Sequence, residues 1–205
     1  MERDFVEWMV PMTMDKWTVL SREVVVDNRP YTLLRLDRCR LPAGQEIDYY
    51  VNVYGDWVNA LVLTQNHQVV LLQQYRHGAE QILREIPGGM VDPGEDPVDA
   101  VRREVREETG YASDAPPILL GKFYPNPATS TNMVHCFLIQ EAKHVGEQQL
   151  DATEDISVAE FPFEQVASMI RQGELPHLFT TATYFLAKDW INQHSGPDRR
   201  TSFIE

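Results

Sequence analysis

The chain has 205 residues, 43% of them hydrophobic, and a net charge of −13 from 31 acids against 18 bases. That length suits one domain with an extension, and the apolar share suffices for a real core. The acidic balance argues against non-specific binding to nucleic acid or an anionic membrane, but not against an anionic small substrate, because a bound cation can invert the local field.

The first twelve residues, MERDFVEWMVPM, carry three acids and no long apolar run. They predict neither a secretory signal nor a membrane span, and a cytoplasmic location is the expectation. Strand-like runs follow at 18–26 (TVLSREVVV), 29–36 and 46–53, separated by the turn signals Asp27-Asn28 and LPAGQ. Residues 56–64 and 68–75 flank Gln65-Asn66-His67 and read as a hairpin. The second run, QVVLLQQY, is rich in Val and Leu and should be central in its sheet. A helix is expected over 97–109, strands at 118–124, 133–142 and 156–161, and two helices at 162–172 and 177–193, with a mobile tail beyond. Strands dominate early and helices come singly, which is α+β mixed-sheet character and not a regular βαβ array. Cys39 and Cys136 form no CxxC pair and lie near no histidine at zinc spacing, so they read as reduced thiols.

The helix at 97–109 carries the chemistry. Asp96 is a good N-cap, Pro97 suits the first helical position and Gly110 suits the residue that ends a helix. Val98, Val101 and Val105 share one arc, so all three are expected to be buried. Glu104, Glu107 and Glu108 occupy the neighbouring arc. Helix neighbours three or four apart lie about 5–6 Å from one another, and at an effective dielectric near 20 each like-charge pair then costs about 3 kcal/mol. A hard divalent cation with oxygen ligands removes that cost, and Mg²⁺ suits a few carboxylates plus substrate phosphate. The alternative is a solvated acidic face, with Arg102, Arg103 and Arg106 interleaved and Arg103–Glu107 an ordinary i, i+4 pair. Gly88-Gly89, ahead of the turn-rich MVDPGED, favour the metal, because two glycines let a loop close over the helix start.

Gly89, Glu95, Arg103, Glu104, Val105, Glu107, Glu108, Gly110 and Tyr111 resemble the Nudix box, G-x5-E-x7-R-E-U-x-E-E-x-G-U with U a bulky aliphatic residue. Only Tyr111 departs from it, being aromatic. Chance agreement at the seven fixed positions is about one in ten million or rarer per window. The resemblance implies a Nudix fold: an α/β/α sandwich with a central mixed sheet over 56–195, preceded by a strand-rich, dimer-forming extension over 1–55, with a tail at 196–205. It implies an enzyme, a Mg²⁺-dependent (or Mn²⁺-dependent) hydrolase of a nucleoside diphosphate linked to some moiety. Glu104 and Glu108 would be the main metal ligands, with Glu107 and the Gly88 carbonyl completing the shell. Gly89, Glu95 and Arg103 would support the loop. VVLLQQYRHG and the E-x-P-G-G run at Glu85–Gly89 resemble the ADP-ribose and nucleotide-sugar pyrophosphatases.

Within that subgroup Arg76, and less strongly Arg84, would contact substrate phosphate. Pro127 matches a proline sixteen residues past the box, in a loop whose bland reading is a tight turn. LDATEDI (150–156) resembles a late loop that supplies an acid, best matched by Glu154; a second acid of that pattern falls near Ala152 and is absent here, with Asp151 as its substitute; Glu107 and Glu154 are both candidates for the general base. Tyr49, Tyr50 or Trp17 would stack on the base, against a stronger expectation of packing, and His135 reads as structural. The expected substrate is a nucleotide sugar such as ADP-ribose, cleaved to a nucleoside monophosphate and a sugar phosphate by a homodimer. The alternatives are another nucleoside diphosphate derivative, such as a dinucleoside polyphosphate, capped RNA or a dinucleotide cofactor, and a non-catalytic nucleotide sensor.

Overall fold

A computed structural model describes residues 14–29 and 32–194. The expected tail at 196–205, the first twelve residues and two positions, 30 and 31, of the strand expected over 29–36 lie outside the described residues. The chain divides into two compact units: the described residues up to Tyr54 with Asn126–Thr131, and Gly55–Pro125 with the described residues from Asn132 onward.

The first unit is a meander of β1 (Thr18–Asn28), β2 (Thr32–Arg40) and β3 (Glu46–Asn52), antiparallel in that order. The β-branched run of β1 suits a pleated surface, and the turn between β2 and β3 closes with Leu41 N–H donating to Gln45 O at 2.8 Å. Asn126–Thr131 joins this sheet through Asn52 N–H to Thr129 O at 2.7 Å and the Tyr49 hydroxyl to Ala128 O. Every residue of β1 is exposed, including Val19, Leu20, Val24, Val25 and Val26.

The second unit is the sandwich. Its sheet runs β11 (Ile156–Pro162), β5 (Gln68–Arg76), β4 (Trp57–Thr64), β10 (Val134–His144), β8 (Tyr111–Ala112). β6 (Gln81–Glu85) adds to β5, β7 (Gly88–Met90) to β4 and β9 (Ile118–Phe123) to β10. β4 and β10 are parallel and the other pairs antiparallel, so the sheet is mixed. Side chains alternate across it, as a period of two requires. Val58, Ala60, Val62, Val70, Phe137 and Ile139 pack on one face against Ala100, Val101 and Val105 of α1 (Pro97–Thr109). Leu61, Leu63, Val69, Leu71 and Leu138 pack on the other against α2 (Phe163–Arg171) and α3 (Leu178–His194), where Tyr184 is fully buried. Among the described residues no helix is long and apolar enough to cross a membrane.

One reading of the sequence needs correction. Val98 is 37% exposed, not buried with Val101 and Val105; it lies in the first turn beside the Asp96 cap, and fully buried Ala100 takes the third apolar place. The stretch from Gln81 to Met90, for which the sequence reading assigns no element, supplies β6 and β7. Gly88 there pairs with Asn59, so close to β4 that a Cβ would collide with the Val58 carbonyl oxygen and sit 2.7 Å from Asn59 Cα. Gly88→Ala should therefore lower stability by roughly 1–3 kcal/mol through overpacking, read as a fall in melting temperature. An unchanged melting temperature would contradict this close approach.

Candidate active site

α1 is locally specified and so holds its carboxylates firmly. Asp96 accepts a hydrogen bond from Val98 N–H at 2.8 Å, and Gly110, at φ 72°, returns its N–H to Arg106 O at 2.9 Å. From this helix Glu108 reaches across to β7, where its Oε2 accepts the Gly88 N–H at 2.8 Å. Glu104 lies under Gly89, where a Cβ would come within 2.5 Å of its carboxylate. Glu108 is buried and Glu104 half-buried against a backbone that only glycine lets so close.

Arg103 ties the preceding loop to the helix. Its Nε and Nη2 donate to Glu95 at 3.0 and 2.9 Å, Nη2 also to Met90 O at 3.1 Å, and Nη1 to Glu104 at 2.9 Å and Glu107 at 3.3 Å. The bonds from Arg103 hold Glu95 below the usual carboxylate range, and Glu95 in turn raises the pKa of Arg103. Burial pushes the Glu108 carboxyl up to about 8; the Gly88 N–H opposes this, and the charges of Glu104 and Glu154 add to it. Glu104 is raised too, by burial first, against Arg103, with Glu107 and Glu154 contributing repulsion. Glu154 belongs to the turn after Gln149, where its carboxylate accepts the Asp151 N–H at 2.9 Å, and its field reaches both glutamates.

Among the described residues no three acidic, histidine or cysteine side chains converge as a closed metal cage. Arg103 draws Glu104 and Glu107 towards itself, and Glu108 spends one oxygen on Gly88. The residues nonetheless fit a hard divalent cation. The donors are oxygen only, two are buried or half-buried with their charge incompletely offset, and the glycine cradle leaves room at the Glu104 carboxylate.

On the other side of Gly88 lies a cavity of about 300 Å³, lined by Trp57, Arg76, Glu85, Gly88, Gly89 and Phe179 among others. Arg76, at the end of β5, donates from Nε to Glu85 at 2.7 Å, and its charge is felt at Glu108. Phe179 tilts on Trp57 with ring centroids 5.9 Å apart. Arg84 does not line this cavity; it pairs with Glu174 at 3.3 Å and lies over the Phe161 ring. Tyr50 and Pro127 belong to the first unit, where Tyr50 is exposed. Trp17 packs edge-on against Tyr49 in that unit. His135 is buried, with Nε2 3.0 Å from Asp56.

Three lining residues carry no local signal that marks them out: Trp57, His177 and Phe179. Glu85 had one, its place at the head of the E-x-P-G-G run, and as a buried acid it must find a partner.

Comparison with known proteins identifies the family and the fold. The NUDIX domain model matches residues 54–180, and the model of the nucleoside diphosphate sugar hydrolase N-terminal domain matches 17–52. An ADP-ribose pyrophosphatase of Bacillus subtilis (strain 168) is 28% identical over 69% of this chain and 77% of its own length. A GDP-mannose pyrophosphatase of Cronobacter sakazakii is 30% identical over 73% of this chain and 80% of its own. A crystal structure of an ADP compounds hydrolase superposes with a TM-score of 0.78 at 18% identity, covering 88% of this chain and 97% of that one. With its box on α1 and the matched domain spanning most of the chain, the protein belongs to the Nudix hydrolase family.

Proposed function

We infer that this enzyme hydrolyses the pyrophosphate bond of a nucleoside diphosphate sugar, giving a nucleoside monophosphate and a sugar phosphate. The observation that carries this reading is the arrangement around Gly88 and Gly89: buried Glu108 and half-buried Glu104, mutually repelling, against a backbone that also lines an Arg76-bearing cavity. The relatives that hydrolyse ADP-ribose and GDP-mannose support the substrate class.

Glu104 and Glu108 would hold Mg²⁺ or Mn²⁺, with Glu107 and the Gly88 carbonyl as further oxygens. When bound, the cation neutralises the non-bridging oxygens and lowers the pKa of water. The rest falls to the chain. Arg76 binds a phosphate oxygen, and Glu154 or Glu107 takes the proton from the attacking water. Arg103 and Glu95 hold the loop so that Gly88 and Gly89 stay against the helix. Arg84, engaged with Glu174, is the weaker phosphate candidate. Free, buried Cys39 and Cys136 suit a reducing cytoplasm, which fractionation of the producing cells would test. A homodimer through the first unit is supported by the exposed apolar residues of β1, since so large an apolar face marks an association surface.

Incubated with ADP-ribose and GDP-mannose, the protein should release monophosphate with Mg²⁺ and none with EDTA. Glu108→Gln should reduce turnover at least about a hundredfold, with the melting temperature preserved. Turnover unaffected by EDTA would refute the metal role, and preference for a dinucleoside polyphosphate would move the substrate class. Light scattering should give twice the chain mass, and Val24→Asp should halve it; a monomeric wild type would remove the dimer.

A further inference from the structure

The cavity beside the glycines contains a buried carboxylate that the reaction does not use. Glu85 has a side chain only 1% exposed. Its Oε1 accepts Arg76 Nε at 2.7 Å, while Oε2 makes no hydrogen bond among the described residues and lies 3.1 Å from Nδ1 of His177. His177 comes from a distant part of the sequence, one residue ahead of α3. It is held there by an edge-on contact with Phe179, ring centroids 5.1 Å apart, and by Thr180, whose hydroxyl stands 3.5 Å from His177 Nδ1 and accepts the Ile86 N–H at 3.1 Å. Among the described residues neither Nη of Arg76 hydrogen-bonds to the protein, so the guanidinium is anchored through Nε and its fork is left to a ligand.

We propose that Glu85 and His177 are positioning residues, forming a relay from the start of α3 that fixes the Arg76 guanidinium in the cavity for the phosphate of the nucleotide sugar. This rests on the substrate reading above. A buried carboxylate with one free oxygen would turn towards whatever donor it could find; in the proposed relay the donor is His177, whose Nδ1 already stands 3.1 Å from Oε2, and it keeps the carboxylate facing Arg76. Burial lowers the His177 pKa and the Glu85 charge opposes this. The charged groups facing His177 are Glu85 and Arg76.

Asparagine can place an amide N–H close to where Nδ1 stands, whereas glutamine places it farther out. The test compares wild type with His177→Ala, His177→Asn and His177→Gln in two measurements: steady-state kinetics on ADP-ribose and GDP-mannose with Mg²⁺, and water exchange of the Arg76 Nε–Hε signal by NMR without substrate. The expected result is a rise in KM of about tenfold for Ala and Gln, with kcat within about threefold. Nε–Hε exchange should be faster in the same two variants, and both properties should return in Asn. A purely structural role would lower stability and would not split KM from kcat. Unchanged KM and exchange in Ala and Gln, or an Asn variant as impaired as Gln, would overturn the relay. If Ala fails to fold, the Asn–Gln contrast decides alone. If wild type cleaves neither sugar, the substrate reading fails and the exchange measurement still decides: faster in Gln and restored in Asn keeps the relay, no difference ends it.

Discussion

The site depends on repulsion between like charges that the fold brings out of water. Glu104 and Glu108 stand one helical turn apart on α1, and both lie under the Gly88-Gly89 backbone. In open solvent such a pair costs only a few tenths of a kcal/mol, whereas burial multiplies the cost several-fold. The protein relieves this only in part. Arg103 reaches Glu104, the Gly88 N–H reaches Glu108, and the field of Arg76 arrives from the cavity side. Glu154 works in the opposite sense. The result is a pair of carboxylates that hold protons more strongly than ordinary surface acids would, next to a cavity lined by Arg76.

The two sides are joined by one short strand. β7 pairs with β4 through Gly88 and Gly89, so the carboxylates and the cavity share a backbone wall with no side chain of its own. Arg103 and Glu95 keep that wall in place from the helix side. Glu85, three residues ahead of Gly88, links it to Arg76, and through His177 to α3. Parts of the chain far apart in sequence thus meet within one unit of the fold.

Much of this is legible in the order of the amino acids. The helix boundaries are written locally in Asp96, Pro97 and Gly110, and the apolar runs of β4 and β5 announce a sheet buried on both faces. The expected α+β sandwich with a mixed sheet is what forms. The illegible parts share a physical cause. Gly88 and Gly89 favour loops by their own conformational freedom, yet they sit in a strand, where β4 leaves no room for a Cβ on Gly88 and the Glu104 carboxylate leaves none on Gly89. Val98 obeys the helical period, but periodicity does not say where the packed surface ends. The Glu85–His177 contact is set by tertiary packing alone, and no spacing encodes it. The way the acids turn is also beyond the sequence: the spacing gives three of them on one arc, while Arg103 decides the direction of two.

Buried Glu108 is destabilising as an anion, and in the proposed mechanism a bound cation removes that cost. Its folded-state pKa of about 8 lies above its ordinary value. The folded state therefore keeps a proton that the unfolded chain releases, and stability must fall as pH rises from the ordinary carboxylate range towards 8. Glu108→Gln lacks that loss. Thermal unfolding of both proteins in EDTA from pH 5 to pH 9 should show the variant gaining on wild type as pH rises, and saturating Mg²⁺ should close the gap for wild type. Parallel curves in EDTA, with no effect of Mg²⁺ on either protein, would contradict the account.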